Sequence, residues 1–176
     1  MTELVVLLDE AGQPVGTADK ATVHTTETPL HLAFSCHVFN EAGEILVTRR
    51  ALSKKTWPGV WTNSFCGHPG PGEEMTDALH RRAADELGLT INNLTLALPD
   101  FKYRAVDASG IVEYEVCPVY IATATSEPKP NPNEVTEFYW ADPASLVQAI
   151  ELTPFAFSPW INLQLPALAD KDLLNR

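Results

Sequence analysis

The sequence predicts a mixed-sheet α/β sandwich in which a few helices are set among mostly hairpin-linked strands. Runs of β-branched residues flank glycine-containing turns, and one long segment has helical periodicity instead. The 176 residues with 45% hydrophobic content are enough for one well-buried core and short for two. We therefore expect a single α/β (α+β) domain that covers residues 1–176.

The first fifty residues predict two hairpins joined by a polar loop. Leu4–Leu8 and residues 15–18 form the first pair of strands, and Phe34–Phe39 and residues 45–48 form the second pair. Residues 24–31 lie between the hairpins and are polar, with one proline, so they predict a loop that carries two histidines.

A helix is predicted over Met75–Leu87. From Leu79 onward apolar residues recur every four positions, and Gly88 supplies a C-terminal stop. This register places Arg82 and Glu86 together on a neighbouring face of the helix.

The second half of the chain predicts strands at residues 101–105, 111–123 and 137–140. Two helices follow, each with a proline in its first turn, at Pro143 and Pro154. A Ser-Pro-Trp sequence at residues 158–160 interrupts or restarts the second of these helices.

Composition limits the possible partners. The formal net charge of -11 argues against general affinity for nucleic acid or anionic membranes, so an anionic substrate needs a local basic pocket. No apolar run approaches the roughly 18 residues of a membrane span. Three cysteines cannot all pair, and no basic and apolar leader precedes Leu4. We expect a soluble, cytoplasmic monomer.

Three imidazoles and two carboxylates form a candidate metal set: His24, His31, His68, Glu113 and Glu115. Five such ligands suit octahedral Mn²⁺ or a similar ion with one open position, whereas structural zinc prefers thiolates in a tetrahedron. A histidine in a polar loop is also commonly solvated, and a Glu-x-Glu pair commonly faces water. The residues alone leave both interpretations open.

Cys66 lies in a Phe-Cys-Gly-His sequence that sets a thiol beside the imidazole of His68. A lone cysteine is usually a small buried hydrophobe, but a thiol near a metal-bound histidine and a cation is a plausible base. Glu86 likewise has two interpretations, because it stands four residues from Arg82 and can simply pair with it.

Residues 57–89 carry a longer motif. Their spacing resembles the Nudix box G-x5-E-x7-R-E-U-x-E-E-x-G-U, in which U is a bulky aliphatic residue. The matching residues are Gly67, Glu73, Arg81, Glu86, Gly88 and Leu89. Arg82 and Asp85 replace two glutamates of the box, and Ala83 is small for its position. With the Cys-Gly-His segment, this altered box resembles the type I isopentenyl-diphosphate isomerase family over roughly residues 3–165.

The resemblance implies a Nudix-fold α/β/α sandwich with an N-terminal β extension. It implies that the enzyme converts isopentenyl diphosphate to dimethylallyl diphosphate, adding a proton at C4 and removing one from C2 through a tertiary carbocation. The implied proton-transfer residues are Cys66 and Glu115, and Tyr103 hydrogen-bonds the glutamate. Trp160 is implied to face the carbocation, since an aromatic face stabilises a cation without trapping it.

The resemblance also implies two metal sites and a basic pocket. Mn²⁺ or Zn²⁺ is held by the three histidines together with Glu113 and Glu115, and Glu86 holds Mg²⁺ against the substrate diphosphate. The implied diphosphate-binding cations are Lys20, Arg50, Lys54 and Arg82.

Two other functions are open at this point. A Nudix hydrolase of a nucleoside diphosphate derivative needs more inner carboxylates than Arg82 and Asp85 leave in the box. A catalytically silent Nudix domain that senses a ligand or binds a partner has no need of Cys66 and the three histidines.

Overall fold

The fold consists of two β-sheets and four α-helices. The structure is a computed structural model that describes residues 3–176. The strands are β1 (Leu4–Leu8), β2 (Pro14–Asp19), β3 (His31–Leu32), β4 (Phe34–Phe39), β5 (Ile45–Arg50), β6 (Trp61–Thr62), β7 (Phe65–Gly67), β8 (Ile91–Leu98), β9 (Lys102–Val106), β10 (Val112–Val116), β11 (Val119–Ala124) and β12 (Val135–Ala141). The helices are α1 (Lys20–Val23), α2 (Met75–Leu87), α3 (Pro143–Leu152) and α4 (Pro159–Asp170), with a 3-10 turn at Pro154–Ala156. Among residues 3–176, no helix has the length and apolar character needed to cross a bilayer.

The five-stranded sheet has the order β2-β1-β3-β10-β9 and contains the predicted N-terminal hairpin. In this sheet β10 runs parallel to β3 and antiparallel to β9, so that Glu115 pairs with His31 on one side and Tyr103 on the other. Three predicted site residues therefore lie side by side on neighbouring strands.

The seven-stranded sheet follows the path β12-β5-β4-β11-β8, while β6 and β7 pair with β5 and β4. Side chains of β4 alternate between its faces. Phe34, Cys36 and Val38 pack with the α2 side of the core, and Phe39 packs with the α3 and α4 side. Helices thus cover both faces of this sheet, and the predicted α/β/α sandwich with an N-terminal β extension is confirmed.

Several details differ from the prediction. Residues 111–123 form two strands, β10 and β11, which belong to different sheets. The chain leaves the first sheet at Cys117, whose backbone N–H bonds Phe101 O at 2.8 Å, and Pro118 follows with no N–H to continue the ladder. The 3-10 turn replaces the start of the helix predicted at Pro154, and the helix restarts at Pro159 with Ser158 as its cap.

Strand β8 was not predicted at all. Its sequence, INNLTLAL, carries two successive asparagines and has several exposed side chains, so neither alternation nor a continuous apolar run marks it. His31 lies on the short strand β3 and not in a loop, because β1 and β10 bracket it.

Candidate active site

A cleft of about 190 Å³ lies at the junction of the two sheets and is the centre of the candidate site. Twelve of the thirteen predicted site residues line it: Lys20, His24, Arg50, Lys54, Cys66, His68, Arg82, Glu86, Tyr103, Glu113, Glu115 and Trp160. The thirteenth, His31, is fully buried and reaches the same place from β3. The residues singled out from the sequence are therefore brought together.

Four potential metal ligands converge in one group. Ligand atoms of His24, His31, His68 and Glu115 all lie within 4.8 Å of one another. The three imidazole rings are 5.1 to 5.8 Å apart between centroids. Glu113 lies outside this group of four, although its Oε2 is 3.0 Å from His24 Nε2.

The tautomer of His31 tests whether this set fits a metal ion. Its Nδ1 lies 2.9 Å from Pro29 O, which accepts the ring proton and leaves a lone pair on Nε2. That Nε2 lies 3.4 Å from Glu115 Oε1, without a hydrogen bond. Two facing lone pairs need a proton or a cation between them, and imidazole with carboxylate suits divalent Mn²⁺ or Zn²⁺. The residues present fit such an ion.

Glu113 is oriented by a buried hydroxyl. Thr56 Oγ1 donates to Glu113 Oε1 at 2.8 Å, and Thr56 is 3% exposed. The carbonyl oxygen of Thr56 accepts from Arg50 Nη2 at 2.9 Å. Trp57, next in the chain, has a φ of 43°, and its N–H bonds Asp107 Oδ2 at 2.8 Å. This peptide therefore joins a predicted metal ligand to a predicted diphosphate-binding cation.

Glu115 is surrounded by donors. Burial favours its neutral form, but the neighbouring imidazoles of His31 and His68 hold the pKa of Glu115 well below its usual range. Tyr103 Oη donates to Glu115 Oε2 at 3.0 Å. Burial and the nearby Glu115 raise the pKa of Tyr103 well above its usual range, so the phenol keeps its proton. Tyr103 is thus a protonated neighbour of an ionised carboxylate.

Cys66 enters the cleft from β7, across from the strands that carry Glu115. Its Sγ lies 3.3 Å from Ser35 Oγ and donates to Asn63 Oδ1 at 3.3 Å. Burial raises the pKa of the Cys66 thiol to about 12, and the hydrogen bonds of Ser35 and Asn63 oppose that rise. As a base, this thiol needs added positive charge nearby.

The four predicted cations are already partnered. Lys20 pairs with Glu3 at 2.8 Å, Lys54 pairs with Glu134, and Arg82 donates to Glu86 Oε2 at 2.7 Å. Arg50 instead donates to the carbonyl oxygens of residues 56 and 57. Burial raises the pKa of Glu86, against the lowering effect of Arg82 and Lys54. Three of the four cations would therefore have to release a carboxylate partner before binding another anion.

Trp160 is 3% exposed and forms the aromatic wall of the cleft. Its ring centroid lies 5.5 Å from that of Trp57 and 5.8 Å from that of Tyr103. The guanidinium of Arg50 lies 5.2 Å over the ring, a cation–π arrangement. The indole face therefore already accepts a cation in this structure.

Two residues of the box brace the loop that carries His68. Arg81 Nε and Nη2 donate to the two carboxylate oxygens of Glu73 at 2.8 and 2.9 Å, and Glu73 accepts from Gly70 N. Arg81 Nη2 also donates to His68 O at 3.2 Å. These contacts give Glu73 and Arg81 a structural role beside the cleft.

Sequence reasoning missed five polar residues around the site: Ser35, Thr56, Asn63, Glu134 and Gln164. Asn63 stands inside the motif that carries Cys66, and that proximity was the one available signal. The others come from distant segments, and their residue types are common on surfaces. Only the folded arrangement brings them to the cleft.

Comparison with known proteins identifies relatives over most of the chain. Residues 29–161 match the NUDIX domain family. A protein of Clavibacter sepedonicus named isopentenyl-diphosphate Delta-isomerase is 64% identical over 167 residues, covering 95% of this chain and 88% of that protein. One of the same name from Paenarthrobacter aurescens (strain TC1) is 61% identical over 173 residues, covering 98% and 94%.

Solved structures show the same fold at low sequence identity. The crystal structure of DR0079 from Deinococcus radiodurans has a TM-score of 0.70 at 20% identity and covers 93% of this chain and 98% of that one. A MutT protein from Methanosarcina mazei Go1 has a TM-score of 0.63 at 16% identity, covering 82% and 96%. These likenesses concern the fold alone.

Proposed function

This chain belongs to the isopentenyl-diphosphate Delta-isomerases of the NUDIX family, and we propose that its cleft moves the double bond of isopentenyl diphosphate to give dimethylallyl diphosphate. One observation carries the assignment of roles. The thiol of Cys66 and the carboxylate of Glu115 line one cleft from strands of two different sheets. A substrate between them has a proton-transfer group on each side.

Glu115 and Tyr103 form the proton donor for C4. The phenol of Tyr103 keeps its proton and touches Glu115 Oε2, so the pair holds one transferable proton although Glu115 itself is ionised. Adding that proton to the terminal alkene carbon creates a tertiary carbocation at C3.

Cys66 is the acceptor for the proton that leaves C2. As the C2–H bond breaks, its electron pair becomes the new C2=C3 double bond, and the proton passes to the Cys66 thiolate, which becomes a thiol. Trp160 and Trp57 line the wall between donor and acceptor, where a π face stabilises the cation and excludes water.

His24, His31, His68, Glu113 and Glu115 would hold a divalent ion, Mn²⁺ or Zn²⁺, whose positive charge lowers the pKa of nearby groups such as the Cys66 thiol. Glu86 would hold a Mg²⁺ that accompanies the substrate. The diphosphate oxygens are bound by Lys20, Arg50, Lys54 and Arg82. These four cations form a local basic pocket in a protein whose formal net charge is -11.

The rival function is hydrolysis of a nucleoside diphosphate derivative. Box positions 82, 85 and 86 carry Arg82, Asp85 and Glu86. Arg82 and Glu86 line the cleft, whereas Asp85 is exposed outside it, so the box contributes one carboxylate at these positions. Gathering two or three ions to activate water needs more carboxylates than this. The arrangement therefore supports isomerisation and not hydrolysis.

The setting of the enzyme is part of the same proposal. We infer a single domain acting as a monomer on a small diphosphate substrate, without nucleic acid or membrane partners. Cys36, Cys66 and Cys117 are all free thiols, which is compatible with the cytoplasm.

The test compares wild type with Cys66→Ala and Glu115→Gln, each supplied with isopentenyl diphosphate and Mg²⁺. Wild type should form dimethylallyl diphosphate without releasing inorganic phosphate, and each variant should lose net product by several orders of magnitude. Circular dichroism checks that the variants fold. Phosphate release by wild type without allylic product would restore the hydrolase, and an active Cys66→Ala would remove the thiol from the reaction.

A further inference from the structure

A row of buried, hydrogen-bonded polar side chains leads away from Cys66 into the core and has no part in the mechanism above. Ser35 Oγ lies 3.3 Å from Cys66 Sγ, Gln164 Nε2 lies 2.9 Å from Ser35 Oγ, and His37 Nε2 lies 3.0 Å from Gln164 Oε1. All three residues, Ser35, His37 and Gln164, are 0% exposed. Burying three polar groups is unfavourable unless each is hydrogen-bonded, so their arrangement calls for a reason.

The fold brings the side chains of this row together from one strand and one helix. Ser35 and His37 are two residues apart on β4 and therefore point to the same face of the sheet. Trp160 and Gln164 are four residues apart on α4 and share a stripe of that helix. Helix α4 thus supplies both Trp160, in the aromatic wall of the cleft, and Gln164, in the buried polar row.

The histidine fixes the direction of the hydrogen bonds. Burial lowers the pKa of His37 to about 4, so its ring is neutral and carries one proton. Within the described residues, His37 Nδ1 has no partner, while Nε2 faces Gln164 Oε1. A buried N–H without an acceptor is costly, so the proton belongs on Nε2, which donates to Gln164.

The orientation of Gln164 then fixes which hydrogen bonds Ser35 accepts and donates. With its oxygen occupied by His37, Gln164 uses its amide N–H to donate to Ser35 Oγ. The hydroxyl of Ser35 accepts that bond, so its own proton is free to be donated. The groups facing it are two sulfurs, Cys66 Sγ at 3.3 Å and Cys117 Sγ at 3.4 Å.

Asn63 provides the opposite contact. Its amide nitrogen donates to Cys36 O and Phe65 O, at 3.1 and 2.8 Å, which leaves Oδ1 as an acceptor. Trp160 Nε1 donates to the same Oδ1 at 2.9 Å. When Cys66 Sγ bears a proton, Asn63 Oδ1 can accept a hydrogen bond from it. When the sulfur has lost its proton, Ser35 can donate a hydrogen bond to it and Asn63 Oδ1 cannot.

We propose that Ser35 is a positioning residue for the isomerisation, whose hydroxyl, aimed by Gln164 and His37, donates to Cys66 Sγ while the sulfur is the thiolate that accepts the proton from C2. The inference rests on the proposed role of Cys66. During the step the C2–H bond breaks, the S–H bond forms and the C2 electron pair enters the double bond. Ser35 itself transfers no proton to substrate.

The test measures steady-state kinetics and deuterium exchange in D₂O with Ser35→Ala. We expect kcat to fall by roughly 10- to 100-fold, the usual scale for a hydrogen bond to a charged group, with KM within about twofold. Because only the C2 side is slowed, recovered isopentenyl diphosphate should contain more deuterium at C4 per product formed than with wild type. A general loss of structure would not change that ratio.

Cys117→Ala is the matched control, since it removes the other sulfur that Ser35 contacts and should leave kcat within about twofold. If Ser35→Ala does not fold, Gln164→Met decides, because it removes the N–H that aims the hydroxyl and should lower kcat severalfold at unchanged KM. Wild-type kcat, or an unchanged exchange ratio, in the folded variant would overturn the inference. An active Cys66→Ala in the same series would instead overturn the proposed function.

Discussion

Replacing Thr56 with valine should weaken divalent metal binding while leaving all five proposed ligands in place. The Thr56 hydroxyl is buried and donates to Glu113 Oε1 at 2.8 Å. Valine has nearly the same shape and lacks this donor, so the carboxylate of Glu113 is free to turn away from His24, whose Nε2 lies 3.0 Å from Glu113 Oε2.

The expected magnitude follows from the kind of hydrogen bond removed. A bond to a charged group contributes about 1.5–3 kcal/mol, and each ~1.4 kcal/mol is a factor of ten in a dissociation constant. The Kd for Mn²⁺ should therefore rise by about 10- to 100-fold, which is also the usual effect of losing a residue that orients a metal ligand.

The assay is competition for Mn²⁺ between the protein and a fluorescent chelator, with no substrate present. Thr56→Ser is the control, because it keeps the hydroxyl and loses only a methyl group, so its Kd should stay within a few-fold of wild type. Equal Kd values for Thr56→Val and wild type would show that Glu113, as oriented here, does not contribute to metal binding.

Three further predictions use other parts of the cleft. Glu86→Gln should lower the Mg²⁺-dependent affinity for isopentenyl diphosphate by tenfold or more, measured by calorimetry with and without Mg²⁺; equal affinities would remove Glu86 from the Mg²⁺ site. Trp160→Leu should lower kcat far more than it raises KM, because the cation exists only along the reaction path; a change in KM alone would indicate simple substrate packing. Gly67→Ala should destabilise the fold by about 1–3 kcal/mol in chemical denaturation, since a Cβ there would lie 2.7 Å from the Phe34 ring and 2.6 Å from Arg82 Cγ; wild-type stability would contradict that close packing.

Local patterns were sufficient for some of the regular elements of the fold. The four-residue apolar spacing and Gly88 predicted α2 with the bounds Met75–Leu87 that the structure has. Alternating and β-branched runs located β1, β4 and β5. The break between β10 and β11 escaped the same reasoning, because Val112–Val116 and Val119–Ala124 are both rich in β-branched and aromatic residues and follow each other closely, although they join different sheets.

Some residues of the candidate site could likewise be predicted from the sequence and others could not. The candidate metal-binding and proton-transfer residues could be predicted because their side chains have unusual chemistry and match a family motif. The polar residues that lie around them were missed, since Thr56, Ser35 and Gln164 are ordinary polar residues that reach the site only through long-range contacts. Gln164 meets His37 across 127 positions of sequence, and Thr56 meets Glu113 across 57. No local spacing encodes such pairs.

The position of deuterium in the product tests the central claim most directly. Wild-type protein incubated with isopentenyl diphosphate and Mg²⁺ in D₂O should give dimethylallyl diphosphate with deuterium in the methyl group derived from C4, because the proton on Glu115 and Tyr103 exchanges with solvent. Deuterium NMR of the purified product locates the label. Product without deuterium in that methyl group, or inorganic phosphate in place of an allylic product, would contradict proton addition at C4 from this pair.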